Sequence, residues 1–322
     1  MWPLTTGVGQ TVAVLGTGVD SGNPQLDRVL PGATDDCDGR GTFAAGIVAG
    51  RPDPATTFTG MAPGARILPG KYTETTGNGG APDPDRLASA ISGAVDGGAT
   101  VVLVVVPTMR DSPALVRAVR EAVARDVVVV SPAVGDKASA RSYPTSLPGV
   151  LGVGVVDEGG GAVQGEAGEH IAVSAPGKDV VGTSARTGGK LGHIWGLASP
   201  PLYAAAAYVA GAVALVRAYR PELRAAQVVQ RVVETASGPP GRDPRLGWGV
   251  LDVRAAVTAS LGGSVASGVS AAPFVPASGP GEPVVHRRLP GVLGVGGVLL
   301  AVVAIVSVGV VRRGRARGWR GG

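Results

Sequence analysis

The chain has 322 residues, 44% of them hydrophobic and 16% charged, which supplies enough apolar material for a sizeable core and excludes a disordered protein. Its formal charge of +5 does not mark a nucleic-acid surface: seven of its 29 basic residues, but only one of its 24 acids, lie from Gly281 onward, leaving 22 basic against 23 acidic residues before that point. With one cysteine, Cys37, no internal disulfide is available.

In chain order, TVAVL (11–15) predicts a strand and GTFAAGIVAG (41–50) a short helix. PDRLASAISGAVDGG (84–98) has the spacing of an amphipathic helix, and VVLVVV (101–106) is apolar at every position, as in a strand buried on both faces. SPALVRAVREAVARD (112–126) predicts a helix with Ser112 as N-cap, Pro113 at the first helical position, and Leu115, Val116, Val119 and Val123 facing inward. VVVVS (127–131), GVLGVGVVD (149–157) and HIAVSAPG (170–177) predict further strands. YAAAAYVAGAVALVRAYR (203–220) predicts a long core helix of small residues, and PELRAAQVVQRVVETA (221–236) another, started by Pro221. This alternation implies an α/β fold, a mostly parallel sheet with helices on both faces.

The composition then changes. Residues 261–290 are rich in Gly, Ser, Pro and Ala, as expected of a linker, and no charge occurs between Arg288 and Arg312. Residues 291–311 are long enough at about 1.5 Å per residue to cross about 30 Å of hydrocarbon, which predicts one transmembrane helix. Five arginines follow the span and two precede it, so the basic tail 312–322 is expected in the cytoplasm and the domain 1–260 outside the membrane. An external domain needs an export signal, and MWPLTTGVGQ has neither a basic start nor a long apolar run; the expectation is a segment preceding Met1.

WPLTTGVGQTVAVLGTGVD, DCDGRGTFAAGIVAG and YVAGAVALVRAYRPEL follow one another along the chain. In them the sequence resembles the subtilisin-like serine proteases, and among these the membrane-anchored mycosins associated with type VII secretion: the first is similar to the strand that carries the catalytic aspartate, the second to the helix start that carries the histidine, and the third to the helix that follows the serine. GMAPGARILPGK, YPTSLPGVLGVGVVD, VSAPG and GWGVLDVRAAV match connecting segments in the same order, over about residues 2–260. The resemblance implies a subtilisin-like fold and a family chemistry in which Asp supports His, His takes a proton from Ser, and Ser attacks a peptide carbonyl.

At each family position this sequence differs. Gly16 stands at the aspartate, Arg40 at the histidine and Tyr203 at the serine, while Asp136 stands at the end of the strand whose Asn donates to the oxyanion. The first histidine in the chain is His170, so no shift of register supplies one near Arg40, and no Ser, Thr or Cys occurs from Pro200 to Glu234. Arg cannot serve as a base. An ionised Asp136 offers no donor; in subtilisin, loss of that Asn costs about 100- to 1,000-fold in turnover.

Other residues compete as substitutes. Ser199 lies nine residues before Tyr208 where the pattern places the serine five before it, an offset of about 6 Å along a helix. His193 and Asp20 fit a surface histidine beside a loop and a turn-forming aspartate. Arg40 either pairs with Asp35, Asp36 or Asp38 or binds a peptide carboxylate. The run DDCDG lacks the spacing of a calcium loop, so neither metal nor cofactor is expected. Pro107, in VVVPTMR, removes a donor from the segment that pairs substrate backbone in the family. The sequence therefore predicts an inactive, membrane-anchored pseudoprotease that scaffolds or binds a partner, with type VII secretion components or a peptide as candidates and no nucleic acid. An active endopeptidase using His193 and Ser199, and a decaying gene, are the competing readings.

Overall fold

The computed structural model describes residues 1–74, 82–163, 165–195 and 202–261. The linker beyond 261, the span 291–311, the tail 312–322 and Ser199 lie outside them. The first compact unit runs from Met1 to Gly263.

Six parallel strands form its sheet: β1 (Thr11–Gly16), β2 (Arg66–Lys71), β3 (Val101–Val104), β4 (Val128–Pro132), β5 (Val150–Val156) and β6 (Ile171–Pro176), in the order β2-β1-β3-β4-β5-β6. Val12, Ala13 and Val14 of β1, and every residue of β3, are fully buried although alternate side chains point to opposite faces, so both faces of the sheet are covered. That is why these strands carry no polar alternation.

Helix α1 (Arg40–Ala49) connects β1 to β2 in one direction along the sheet. Helices α2 (Pro84–Asp96) and α3 (Pro113–Ala124) connect β2 to β3 and β3 to β4 in the other. Right-handed crossovers then put α1 on the face opposite α2 and α3, and leave a topological switch point beside β1, where ligands of open α/β sheets bind at the carboxyl ends of the strands. Gly16 is the last residue of β1.

A short hairpin follows, β7 (Val181–Thr183) with β8 (His193–Trp195), and then α4 (Leu202–Tyr219), α5 (Ala225–Glu234) and α6 (Val253–Thr258). Small residues let α4 approach its neighbours closely: Ala204 to Ala207, Ala210, Ala212 and Ala214 are fully buried, and a Cβ on Gly211 would come within 2.6 Å of Met61. Among the described residues α4 is the one helix long and apolar enough to cross a membrane, and 72% of it is buried inside the domain, as befits a core helix.

Helix α3 begins as the sequence predicts, with the Ser112 Oγ accepting from the Leu115 amide at 3.1 Å and Pro113 at its first position. Its inward stripe is rotated from the expected one. Leu115, Ala118, Val119 and Ala122 are buried and Val123 is exposed, because this is the face that α3 turns to its neighbours α2 and β4. Pro221 does not start α5; it lies in the turn before Arg224, which caps a helix whose first residue is Ala225.

Candidate active site

The carboxyl end of β1 meets the start of α1 through one buried carboxylate. Asp36, 2% exposed, accepts from the Thr17 hydroxyl at 2.8 Å and the Gly39 amide at 2.8 Å on one oxygen, and from the Thr42 amide at 2.8 Å and the Thr42 hydroxyl at 2.6 Å on the other. Thr17 Oγ1 also accepts from the Gly41 amide at 3.3 Å. The residues after Gly16 and Arg40 are thus joined directly, which holds those two positions side by side.

Gly16 itself presents only backbone. Its carbonyl accepts from the Tyr72 and Thr73 amides, and a Cβ built on it would lie 3.1 Å from Val105 Cβ. That contact is tight by a few tenths of an ångström, and the residue is not in the left-handed region, so the backbone does not demand glycine here.

Arg40 is the first residue of α1. Its Nε pairs with Asp38 at 3.0 Å, and its guanidinium carbon lies 5.9 Å from the centroid of the Tyr203 ring. Tyr203, near the start of α4, is 5% exposed and meets the edge of Phe43 at a centroid distance of 5.8 Å and an interplanar angle of 80°. Its hydroxyl is buried and, among the described residues, has no hydrogen-bond partner. Burial pushes the phenol well above its ordinary range; the charge of Arg40 offsets part of this, and Asp38 and Asp36 add to it. The structure therefore brings together Gly16, Arg40 and Tyr203, from segments far apart in sequence. Asp136 lies in a bend beyond β4 and is exposed.

The acidic run separates into different duties. Asp35 pairs with Lys71 at 3.1 Å, and its carboxyl is held below the usual range by the Lys71 hydrogen bond first and the Cys37 thiol second. Asp36 clasps β1 to α1, and Asp38 meets Arg40. Among the described residues no group of His, Cys, Asp and Glu is arranged to hold a metal ion. On the rim, the Cys37 thiol donates to Asp35 at 3.3 Å and the Cys37 carbonyl accepts from Arg186 at 2.8 Å. Asp20 accepts from the Gly22 and Arg186 amides, the turn role expected of it.

His193 lies on β8 and is engaged elsewhere. Its Nε2 is 2.5 Å from the Gln25 Oε1, and its ring stacks at a tilt on Phe58, 4.9 Å between centroids. The Gln25 amide nitrogen donates to the carbonyls of Arg51, at 2.5 Å, and Phe58, at 2.9 Å, which fixes the amide orientation and leaves Oε1 as an acceptor. The proton between them therefore sits on Nε2. Burial lowers the His193 pKa, with the charge of Asp53 opposing.

Sequence reasoning missed two features. The Asp36 clasp was hidden among adjacent carboxylates, of which only a three-dimensional partner list picks out one. Glu166, fully buried, accepts from the amides of Gly135 at 2.8 Å and Ser142 at 2.9 Å and from the Ser142 hydroxyl at 2.8 Å, and pairs with His170 at 2.9 Å. It ties down the loop that carries Asp136; its signal was the four-residue spacing of Glu166 and His170. After β3, Thr108 already exchanges backbone hydrogen bonds with Tyr143, at 2.7 and 2.8 Å.

The Subtilase family (peptidase S8) matches residues 7–249. Mycosin-4 of Mycobacterium tuberculosis is 34% identical over 80% of this chain and 67% of its own length, and Mycosin-3 of the same organism is 33% identical over 98% and 82%. Among solved structures, the MycP3 protease from the type VII (ESX-3) secretion system is 31% identical with a TM-score of 0.71, covering 80% of this chain and 85% of that one. A chain of an intact ESX-5 inner membrane complex is 28% identical with a TM-score of 0.70, covering 98% and 87%. The chain belongs to the subtilase family, as a mycosin-type, subtilisin-like member.

Proposed function

We propose that this chain is a pseudoprotease: a subtilisin-like domain anchored by residues 291–311 at the outer face of the membrane, which scaffolds or binds a partner in a type VII secretion assembly. The observation that carries the reading is the Arg40 guanidinium beside the Tyr203 ring, 5.9 Å apart, where the family pattern has a base and a nucleophile. Neither side chain does that work: a guanidinium holds its proton, and a buried phenol with a raised pKa is a poor nucleophile. Gly16 offers no carboxylate and Asp136 no amide donor. Removing the whole triad in subtilisin costs about a millionfold in turnover, so activity here is expected near background. The secretion role is carried by the relatives, one a protease of the ESX-3 system and another a chain of the ESX-5 inner membrane complex.

The alternative, an endopeptidase using His193 and Ser199, has one ring nitrogen to work with. A general base must offer a lone pair to the serine hydroxyl, and with the Nε2 of His193 donating to Gln25 that lone pair is on Nδ1. Labelling the full chain with a fluorophosphonate probe and screening a diverse peptide library tests both readings. The pseudoprotease predicts no labelling and no cleavage; reproducible labelling that disappears in Ser199→Ala would establish the alternative.

A further inference from the structure

The Arg40 cluster holds more donor capacity than it uses. Arg40 meets Asp38 through its Nε alone, as an ion pair at 3.0 Å, and among the described residues neither terminal nitrogen has an acceptor. The side chain is 34% exposed, so this unspent fork reaches solvent. It is also pre-set, paired at Nε with Asp38 and flanked by the Tyr203 ring of α4. Arg40 opens the first turn of α1, a ten-residue helix whose N-terminal partial charge favours anions. Arg186 adds a further cation at the rim, held on the Cys37 carbonyl. Of the acids nearby, Asp36 is committed to four donors and Asp35 to Lys71, while Asp38 faces the Arg40 Nε at 3.0 Å as an ion pair, its buried Oδ1 having no hydrogen bond among the described residues.

We infer that Arg40, backed by the Tyr203 ring, forms a carboxylate-binding site, which takes the free C-terminus of a polypeptide rather than a bond within one. A planar guanidinium with two parallel N–H groups matches a carboxylate in bidentate geometry, which a neutral internal peptide group does not. The reading rests on the pseudoprotease proposal, since it gives the former position of the base to ligand recognition. An acidic side chain offers the same chemistry, and the test separates the two sources.

The experiment is a fluorescence-polarisation titration of the full chain with fluorescein-labelled tetra-alanine bearing a free carboxylate, the same peptide as its C-terminal amide, and an amidated peptide with one internal Glu. The free acid is expected to bind about tenfold or more tighter than its amide, from one charge-assisted bidentate contact. Arg40→Gln should abolish that preference while leaving the thermal melt near that of the parent, and Arg40→Lys should retain only part of it. Tightest binding by the free acid assigns a chain terminus as ligand; tightest binding by the Glu peptide overturns that assignment in favour of an acidic side chain. Equal affinity for acid and amide, no binding of either at millimolar protein, or a preference that survives in Arg40→Gln overturns the site altogether. Fluorophosphonate labelling separates this outcome from failure of the pseudoprotease reading: a labelled chain that still prefers the acid loses that reading and keeps the site.

Discussion

Two clusters share the first turn of α1 and are built on opposite principles. Around Asp36 every lone pair has a donor, from the backbone of the turn, the end of β1 and the Thr42 hydroxyl. Around Arg40 and Tyr203, among the described residues, the Tyr203 hydroxyl and the Asp38 Oδ1 are buried without hydrogen bonds. The first cluster positions the second. Buried polar groups left unpaired cost stability, so a fold keeps them only at points where something other than stability sets the residue. The contrast teaches that the frame of the site is maintained independently of the chemistry it would house.

Substitutions can break or sharpen this contrast. The largest effect is expected at the saturated cluster: Asp36→Ala strands four donors in the interior and should lower unfolding stability by about 3–5 kcal/mol, read by urea denaturation with tryptophan fluorescence. A loss below about 1 kcal/mol would show that water replaces the carboxylate and that the cluster is not a clasp.

Glu166 extends the test to a second saturated carboxylate. Burial alone would raise its pKa, but the hydrogen bonds from His170, Ser142 and Gly135 overcome this and hold it below the usual range. Its stabilising contribution is therefore present above the unfolded pKa of about 4.3 and is lost as the pH falls through the lower folded value. Glu166→Gln should cost about 2 kcal/mol at neutral pH and flatten the acid limb of the stability curve; an unchanged acid limb would mean that other groups carry it.

Gly46→Ala probes the packing behind the site, since the new methyl would fall on the Thr183 side chain that bonds the Thr42 carbonyl at 2.6 Å. A loss of about 1–3 kcal/mol is expected from overpacking in a thermal melt. The smallest effect belongs to the unsaturated cluster. Tyr203→Phe deletes an unpartnered hydroxyl and should be neutral or stabilising by about 1 kcal/mol or less. Clear destabilisation would reveal a partner for that oxygen and remove the contrast.

Much of this was legible in the sequence, for identifiable reasons. Continuous apolar runs at Val101–Val104 and Val128–Pro132 can be satisfied only by burial on both faces, and Ser112-Pro113 fixes a helix start by local chemistry. The approach of Arg40 to Tyr203 followed from the order of the motifs. What the sequence hid depended on competition between similar groups. Nothing local distinguishes Asp36 from Asp35 or Asp38, and nothing local says that Ala118 and Ala122, rather than Val116 and Val123, face the sheet. Likewise Gln25 and His193 are far apart in the chain, so the hydrogen bond that fixes the imidazole tautomer has no sequence signature. The linker, the anchor and Ser199 remain expectations of the sequence.

The rim of the site also carries the one sulfhydryl in the chain, exposed and three residues ahead of Arg40. A solvatochromic dye coupled to Cys37 would therefore sit at a unique address beside the guanidinium, without engineering any residue away. Its hydrogen bond to Asp35 raises the thiol above its ordinary value, so coupling should be slow in neutral buffer and quicken as the medium becomes alkaline. The emission of that dye would register whatever binds beside Arg40, including occupants that leave no covalent trace.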